Sequence, residues 1–131
     1  MLRVSSPLSQ EDEAMLTKVI DCAFAVHRAL GPGYKERIYE MAFCLELESR
    51  NVRFECEKPV SVRYREWVIP GQRIDLIVEK RVVVEIKAVP RLRMLHRRQL
   101  VSYLRTIDLK AGILLNFNTN YIKHGLRRVV L

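Results

Sequence analysis

Two apolar runs constrain this chain more than anything else in its sequence: Arg73-Ile74-Asp75-Leu76-Ile77-Val78 and Val82-Val83-Val84-Glu85-Ile86-Lys87-Ala88. Segments this rich in Val, Ile and Leu are typical of strands covered on both faces of a sheet. Yet Asp75, Glu85 and Lys87 sit inside them. An unpaired charge taken out of water costs several kcal/mol even after relaxation. A fold that buries these strands must therefore give each charge a partner.

Glu85 and Lys87 are two residues apart, so both project from one face of a strand. If Asp75 stands opposite Glu85 in a hairpin, the three side chains converge on one patch. That pairing requires an odd connection, most simply the three residues Glu79–Arg81. A two-residue turn at Lys80-Arg81 instead pairs Asp75 with Ile86 and sends the charges to opposite faces. Two neighbouring carboxylates repel unless they share a proton or bind a cation, and hard Mg²⁺ favours oxygen ligands. Lys87 beside them is suited to orient or deprotonate a water and to stabilise phosphate charge. The structural alternative is that Glu85 and Lys87 mark a strand end reaching solvent.

The flanking sequence supplies the rest of a fold. Ser9, with Asp12 three residues on, has the form of an N-terminal helix cap. Leu16, Val19, Ile20, Ala23, Phe24 and Leu30 then recur with helical period until Gly31-Pro32-Gly33. A second helix is expected from about Lys35 to Arg50, with Ile38, Ala42 and Leu45 beside Tyr39 and Phe43 as its buried stripe and Asn51 as a left-handed terminator. The period then changes to two. Strands are expected over Val52–Glu57, Val60–Tyr64, Trp67–Val78 (with a bulge or bend near Pro70-Gly71) and Val82–Ala88. A helix follows over Met94–Ile107, a buried strand over Ala111–Phe117 and a short last strand over Gly125–Leu131. The pattern predicts an α/β fold, a mixed sheet flanked by helices in a single domain over residues 1–131.

Charge is uneven. Residues 1–50 carry six basic and eight acidic side chains, whereas residues 51–131 carry 17 and seven, out of a net +8. That asymmetry points to a polyanion such as nucleic acid, although a merely soluble basic surface satisfies it too. No apolar run reaches the ~18 residues of a membrane span, so no membrane is expected. The N-terminus lacks a secretory signal, which predicts a cytoplasmic protein. Cys22, Cys44 and Cys56 have no zinc or redox spacing and are read as packing residues.

Asp75…Glu85-Ile86-Lys87 resembles the PD-(D/E)xK nuclease signature, and Gln99-x-x-x-Tyr103 is similar to the Q-x-x-x-Y motif of its RecB-type members. The run Val26–Glu40, which contains Gly33, Glu36 and Tyr39, matches the GxxExxY family of small bacterial and archaeal proteins assigned to that superfamily. The matches together span about His27 to Phe117. The resemblance departs from the pattern at the Pro of "PD", which is absent here. Lys80 also stands where relatives often place Gly or Asn.

The resemblance implies a restriction-endonuclease-like core with a Mg²⁺ site, Mn²⁺ being an alternative ion, and hydrolysis of phosphodiester bonds in DNA. Asp75, Glu85 and the Ile86 carbonyl are the implied metal ligands, with Glu36 as a further acidic ligand, direct or through water. Lys87 is the implied catalytic base or water-orienting group, and Gln99 positions phosphate or Lys87. Tyr103 and His96, placed with Gln99 on the inward stripe of their helix, and Arg91, Arg93, Arg97 and Arg98 are expected to contact nucleic acid. Bland readings stand beside these: a first-turn Glu36 favoured by the helix dipole, core hydrogen bonding for Gln99, and a solvated basic face for the arginines. His27 is expected to be a packed or capping histidine; Tyr64 and Trp67 are suited to stack on bases, but strand-core roles are the expectation. The alternative function is a catalytically silent nucleic-acid-binding module or a partner-dependent subunit. A homodimer is also compatible.

Overall fold

The computed structural model describes residues 7–131. The reading of the N-terminus rests in part on residues 1–6, which lie outside that range. Helix α1 spans Gln10–Leu30, where Ser9 Oγ accepts from the Asp12 N–H at 3.1 Å. It stops at Gly31, whose φ of 67° and ψ of −177° a side chain tolerates poorly. Tyr39 pins this Gly-Pro-Gly connection. Its hydroxyl donates to the Gly31 carbonyl at 2.6 Å and accepts from the Tyr34 N–H at 3.1 Å.

Helix α2 spans Glu36–Ser49, and Asn51 follows in the left-handed region with φ 57°. Its buried stripe differs from the expected one. Tyr39, Phe43 and Leu47 are buried, whereas Ile38 and Leu45 are exposed and Ala42 is half-buried. A helix turns 100° per residue, so a stripe at positions 39, 43 and 47 puts 38, 41 and 45 about 140–160° from its centre, on the opposite face. The Tyr39 ring stacks on Phe117 at 4.8 Å, and the His27 ring, 6.3 Å from Phe117 and near parallel to it, meets the Thr119 carbonyl through Nε2 at 2.7 Å. His27 is a packed histidine.

Among the described residues five strands form one sheet in the order β1-β2-β3-β4-β5: Phe54–Tyr64, Trp67–Val78, Val82–Lys87, Ala111–Asn116 and Leu126–Val130. Only β3 and β4 are parallel, and α3, Met94–Ile107, makes the crossover between them. The two expected strands after α2 are one strand, β1; Pro59 interrupts nothing because β1 is an edge strand, where a missing N–H is tolerated. Pro70 and Gly71 together oppose Ser61 alone, a bulge where the spacing placed one. A short 3₁₀ turn, Ile122–Gly125, precedes β5.

The sheet separates two cores. Leu76, Val78, Val82, Val84 and Ile86 pack with α1 and α2, and Ile77, Val83 and Leu114 pack with Leu100, Tyr103 and Leu104 of α3. Covering on both faces is what makes β3 apolar along its length. Among the described residues no helix is long and apolar enough to cross a membrane.

Candidate active site

The β2–β3 ladder pairs Val78 with Val82, Ile77 with Val83 and Leu76 with Val84. Glu79, Lys80 and Arg81 form the connection, so continuing the register by one step sets Asp75 opposite Glu85. At that step the backbone ladder gives way to side chains. The Asp75 N–H donates to Glu85 Oε1 at 3.1 Å, and the Ile86 N–H donates to Asp75 Oδ2 at 3.0 Å.

The strand is distorted at the same place. Ile74 packs in the α3-side core and Leu76 in the opposite one, although two residues of a regular strand share a face. Across from Asp75 on β1 lies Glu57, flanked by the pairs Cys56–Leu76 and Lys58–Ile74 and held at φ 48°. Such irregularities re-aim a side chain without ending the sheet.

Glu85 is 2% exposed. Burial, then the charge of Asp75, push its carboxyl up to about 8. Asp75 is also raised, chiefly by burial, while the Ile86 N–H and Lys87 draw it back. The two carboxyls interact directly, so the pair retains a proton near neutral pH. Lys87, half-buried, lies two residues beyond Glu85 on β3 and acts on Asp75, Glu85 and Glu36 through its charge. None of the ion pairs within 4 Å among the described residues involves it.

Glu36 reaches the same field from the first turn of α2. Its carboxyl is raised by partial desolvation despite an exposed residue, with Lys87 opposing and Asp75 adding to the rise. Glu40, one turn later, was not singled out in the sequence, yet burial and the charges of Asp75, Glu57 and Glu36 push it up to about 7. Its signal was legible as a second carboxylate at i+4 from Glu36, a spacing that shares a helix face.

On α3 the expected residues separate. Tyr103 is buried, and its hydroxyl is raised by burial and by Glu85 and Asp75. His96 accepts from the Arg93 N–H through Nδ1 at 3.0 Å; partial burial and the nearby Lys87 and Arg93 charges lower it, keeping the imidazole neutral. Gln99 is exposed rather than inward, because the buried stripe runs through Leu100, Tyr103 and Leu104. Arg91, Arg93, Arg97 and Arg98 are all exposed. Arg93 and Arg97 share a shallow depression of about 200 Å³ with Arg127 and Arg128 of β5, two cations that only the fold brings to this face.

Cys44 and Cys56 also meet, across α2 and β1. Burial and its neighbours push the Cys44 thiol up to about 12, which suits packing better than thiolate chemistry.

The donor set for a metal is all oxygen. Among the described residues no three His, Cys, Asp or Glu side chains converge closely enough to hold an ion. Two facing carboxylates nevertheless fit Mg²⁺, which keeps several waters and takes one or two protein carboxylates. A residue in an extended strand presents its N–H and C=O to the same neighbour, so the Ile86 carbonyl faces the β2 side along with the N–H that binds Asp75.

A family model for the PD-(D/E)XK nuclease superfamily matches residues 13–129. None of the curated proteins compared with the chain matches it. Among solved structures it is similar to one titled "Crystal structure of SSO0001", with 21% identity and a TM-score of 0.54 over 92% of this chain. The chain spans 61% of that protein's length. At this identity the likeness concerns the fold alone.

Proposed function

Because the chain belongs to the PD-(D/E)XK nuclease superfamily, we propose that it is a divalent-metal-dependent phosphodiesterase acting on DNA, working as one domain over residues 1–131. The observation that carries this reading is the clasp of Asp75 and Glu85 across β2 and β3, with Lys87 two residues on. Nothing in a structural role requires two carboxylates to face each other inside an apolar sheet.

Asp75, Glu85 and the Ile86 carbonyl hold Mg²⁺ or Mn²⁺, with Glu36 assisting through water. When bound, such an ion polarises a phosphoryl oxygen and lowers the pKa of its water. Lys87 orients the attacking water and, as a cation, stabilises charge developing on the phosphate oxygens. His96, held neutral next to Lys87, adds no competing positive charge there. Gln99, exposed on α3, contacts substrate rather than the carboxylates, and Tyr103, buried on the same helix within the field of Glu85 and Asp75, supports the pair. Arg91, Arg93, Arg97 and Arg98 hold the phosphate backbone without reading sequence.

The test is cleavage of labelled DNA and RNA by purified protein with Mg²⁺, Mn²⁺ or EDTA. DNA cleavage is expected with either ion, none with EDTA, and a loss of at least about 100-fold in Lys87→Ala. Metal-independent cleavage, or full activity in Lys87→Ala, refutes the assignment. Salt-sensitive binding without turnover identifies a silent binding module instead.

A further inference from the structure

The β1–β2 hairpin outruns the sheet that supports it. Strand β3 pairs only with Leu76–Val78, so beyond Ile74 the β2 strand has β1 as its sole strand partner. Residues 63–71 are exposed without a break. A two-stranded ribbon is marginal in water by itself, yet this one carries its largest apolar side chains at the free end. Tyr64, Trp67, Val68 and Ile69 are each more than half exposed. Tyr64 and Trp67 are a cross-strand pair with rings 6.3 Å apart and 20° from parallel, and the Arg65 guanidinium lies 5.4 Å from the Tyr64 ring centre.

We propose that this tip is a base-stacking platform that engages unpaired bases of the nucleic-acid substrate; the assignment rests on the nuclease reading above. Charge favours nucleic acid over a second copy of the chain. The arm carries Arg63, Arg65 and Arg73 against Glu66, and a two-fold interface would set this net-positive patch against an identical one. Ring shape favours unpaired bases. Inside a duplex the stacked neighbours above and below already cover each base's faces, whereas splayed or single-stranded bases offer a π-face to an aromatic side chain.

The arm is also placed to act with the carboxylate pair. Trp67 and Asp75 lie on one strand, eight residues apart, a span of about 25 Å at ~3.3 Å per residue. The tip therefore meets the substrate well away from the scissile phosphate, and the Pro70-Gly71 bulge lies between the two.

Trp67 is the sole tryptophan of the chain, so its fluorescence reports on this tip alone. The full chain in EDTA is titrated with an oligothymidylate of about 15 nucleotides, at the upper end of single-strand site sizes, and with a blunt duplex of equal length. Saturable quenching by the single strand is expected, with the duplex at least about fivefold weaker. Tyr64→Ala is expected to weaken single-strand binding by at least about fivefold in an anisotropy assay, leaving duplex binding unchanged.

Anisotropy that rises while Trp67 emission stays constant overturns the platform, as does equal quenching by the duplex. Burial of Trp67 in a dimer without nucleic acid overturns it too. If Lys87-dependent cleavage persists in those cases, the arm assignment alone has failed. If neither binding nor cleavage occurs, the nuclease reading falls with it.

Discussion

Asp75 and Glu85 hold each other through the backbone: the Asp75 N–H donates to Glu85 Oε1, and the N–H that follows Glu85 donates to Asp75 Oδ2. Each carboxylate thus occupies a donor that a regular ladder would have given to a carbonyl. The arrangement fixes both side chains before any ligand arrives, but it also holds two acidic groups together in a largely apolar setting. On the proposed reading, a bound cation would relieve the repulsion between them, so that activity and stability oppose each other at this pair.

Asp75→Asn separates the two effects. The amide oxygen can still accept from the Ile86 N–H, while the charge facing Glu85 is gone. Without metal, the variant is expected to melt a few degrees above the wild type, because Glu85 no longer has a neighbouring carboxylate. Metal binding by calorimetry is expected to weaken at least about tenfold. A lower melting temperature in EDTA together with unchanged metal affinity contradicts this account.

The same pair makes stability depend on pH with a definite sign. Glu85 and Glu40 are raised from their ordinary range to about 8 and about 7, so between roughly pH 4.5 and 8 the folded chain binds more protons at these groups than the unfolded chain does. Their contribution to stability is present at the acid end of that window and is lost as pH rises through it. In EDTA the melting temperature is expected to fall from pH 5.5 to 8.5, and Glu85→Gln is expected to flatten much of that slope. Added Mg²⁺ should offset the fall at high pH, since the ion binds the ionised pair. A wild-type melting temperature that rises over this range would falsify the proton assignment.

Much of this site was legible because register is arithmetic. Asp75 and Glu85 are ten positions apart, so a three-residue connection brings them face to face, and helical period located α3 at Met94–Ile107. What escaped the sequence was tertiary choice. Apolar side chains on α2 outnumber the places in its buried stripe, and only packing against Phe117 decides that Tyr39 and Phe43 go in while Ile38 and Leu45 stay out. Tyr64 and Trp67 lie in strands with the period of core residues, but β3 pairs with β2 only as far as Leu76, so no third strand reaches them. Arg127 and Arg128 sit 30 or more residues from Arg93 and Arg97, and no local pattern could join them.

The connection behind the pair is itself strained, and relaxing it provides a control. Glu79 and Lys80 both have positive φ, 52° and 56°, the geometry of a type I′ turn that favours Asn-Gly. Glu79 is retained by its side chain, which accepts from the Arg53 N–H at 2.6 Å. Lys80 is exposed and makes no hydrogen bond among the described residues. Lys80→Gly removes a left-handed cost of about 1–2 kcal/mol and loses part of that to chain entropy, leaving a gain of about 0.5–1 kcal/mol. Chemical denaturation should show that increase with metal affinity and cleavage unchanged. A loss of stability would mean that the turn relaxes to another type.

Asn116 holds the far end of the site. It is 1% exposed at the end of β4, where it is the ladder partner of Lys87. Its Oδ1 accepts from the N–H groups of Val89 at 3.1 Å and Asn118 at 3.2 Å, and its Nδ2 donates to the Val89 carbonyl at 2.9 Å. This one amide therefore satisfies both backbone groups of a residue two beyond Lys87, on the segment that leads to Arg91 and Arg93. Asn116→Ala leaves the Val89 N–H unpaired and its carbonyl with only the 3.4 Å contact from Asn118 Nδ2, and costs about 1–3 kcal/mol, so the melting temperature should drop by several degrees. Because the freed segment begins beside Lys87, kcat is expected to fall well below the temperature at which the variant unfolds, while affinity for the metal, whose proposed ligands Asp75 and Glu85 are untouched, stays near that of the wild type. A stability loss with unchanged kcat assigns Asn116 to folding alone. Asn116→Ser, which keeps one short hydrogen-bonding group, should fall between the two in both measurements if the clamp works through Val89.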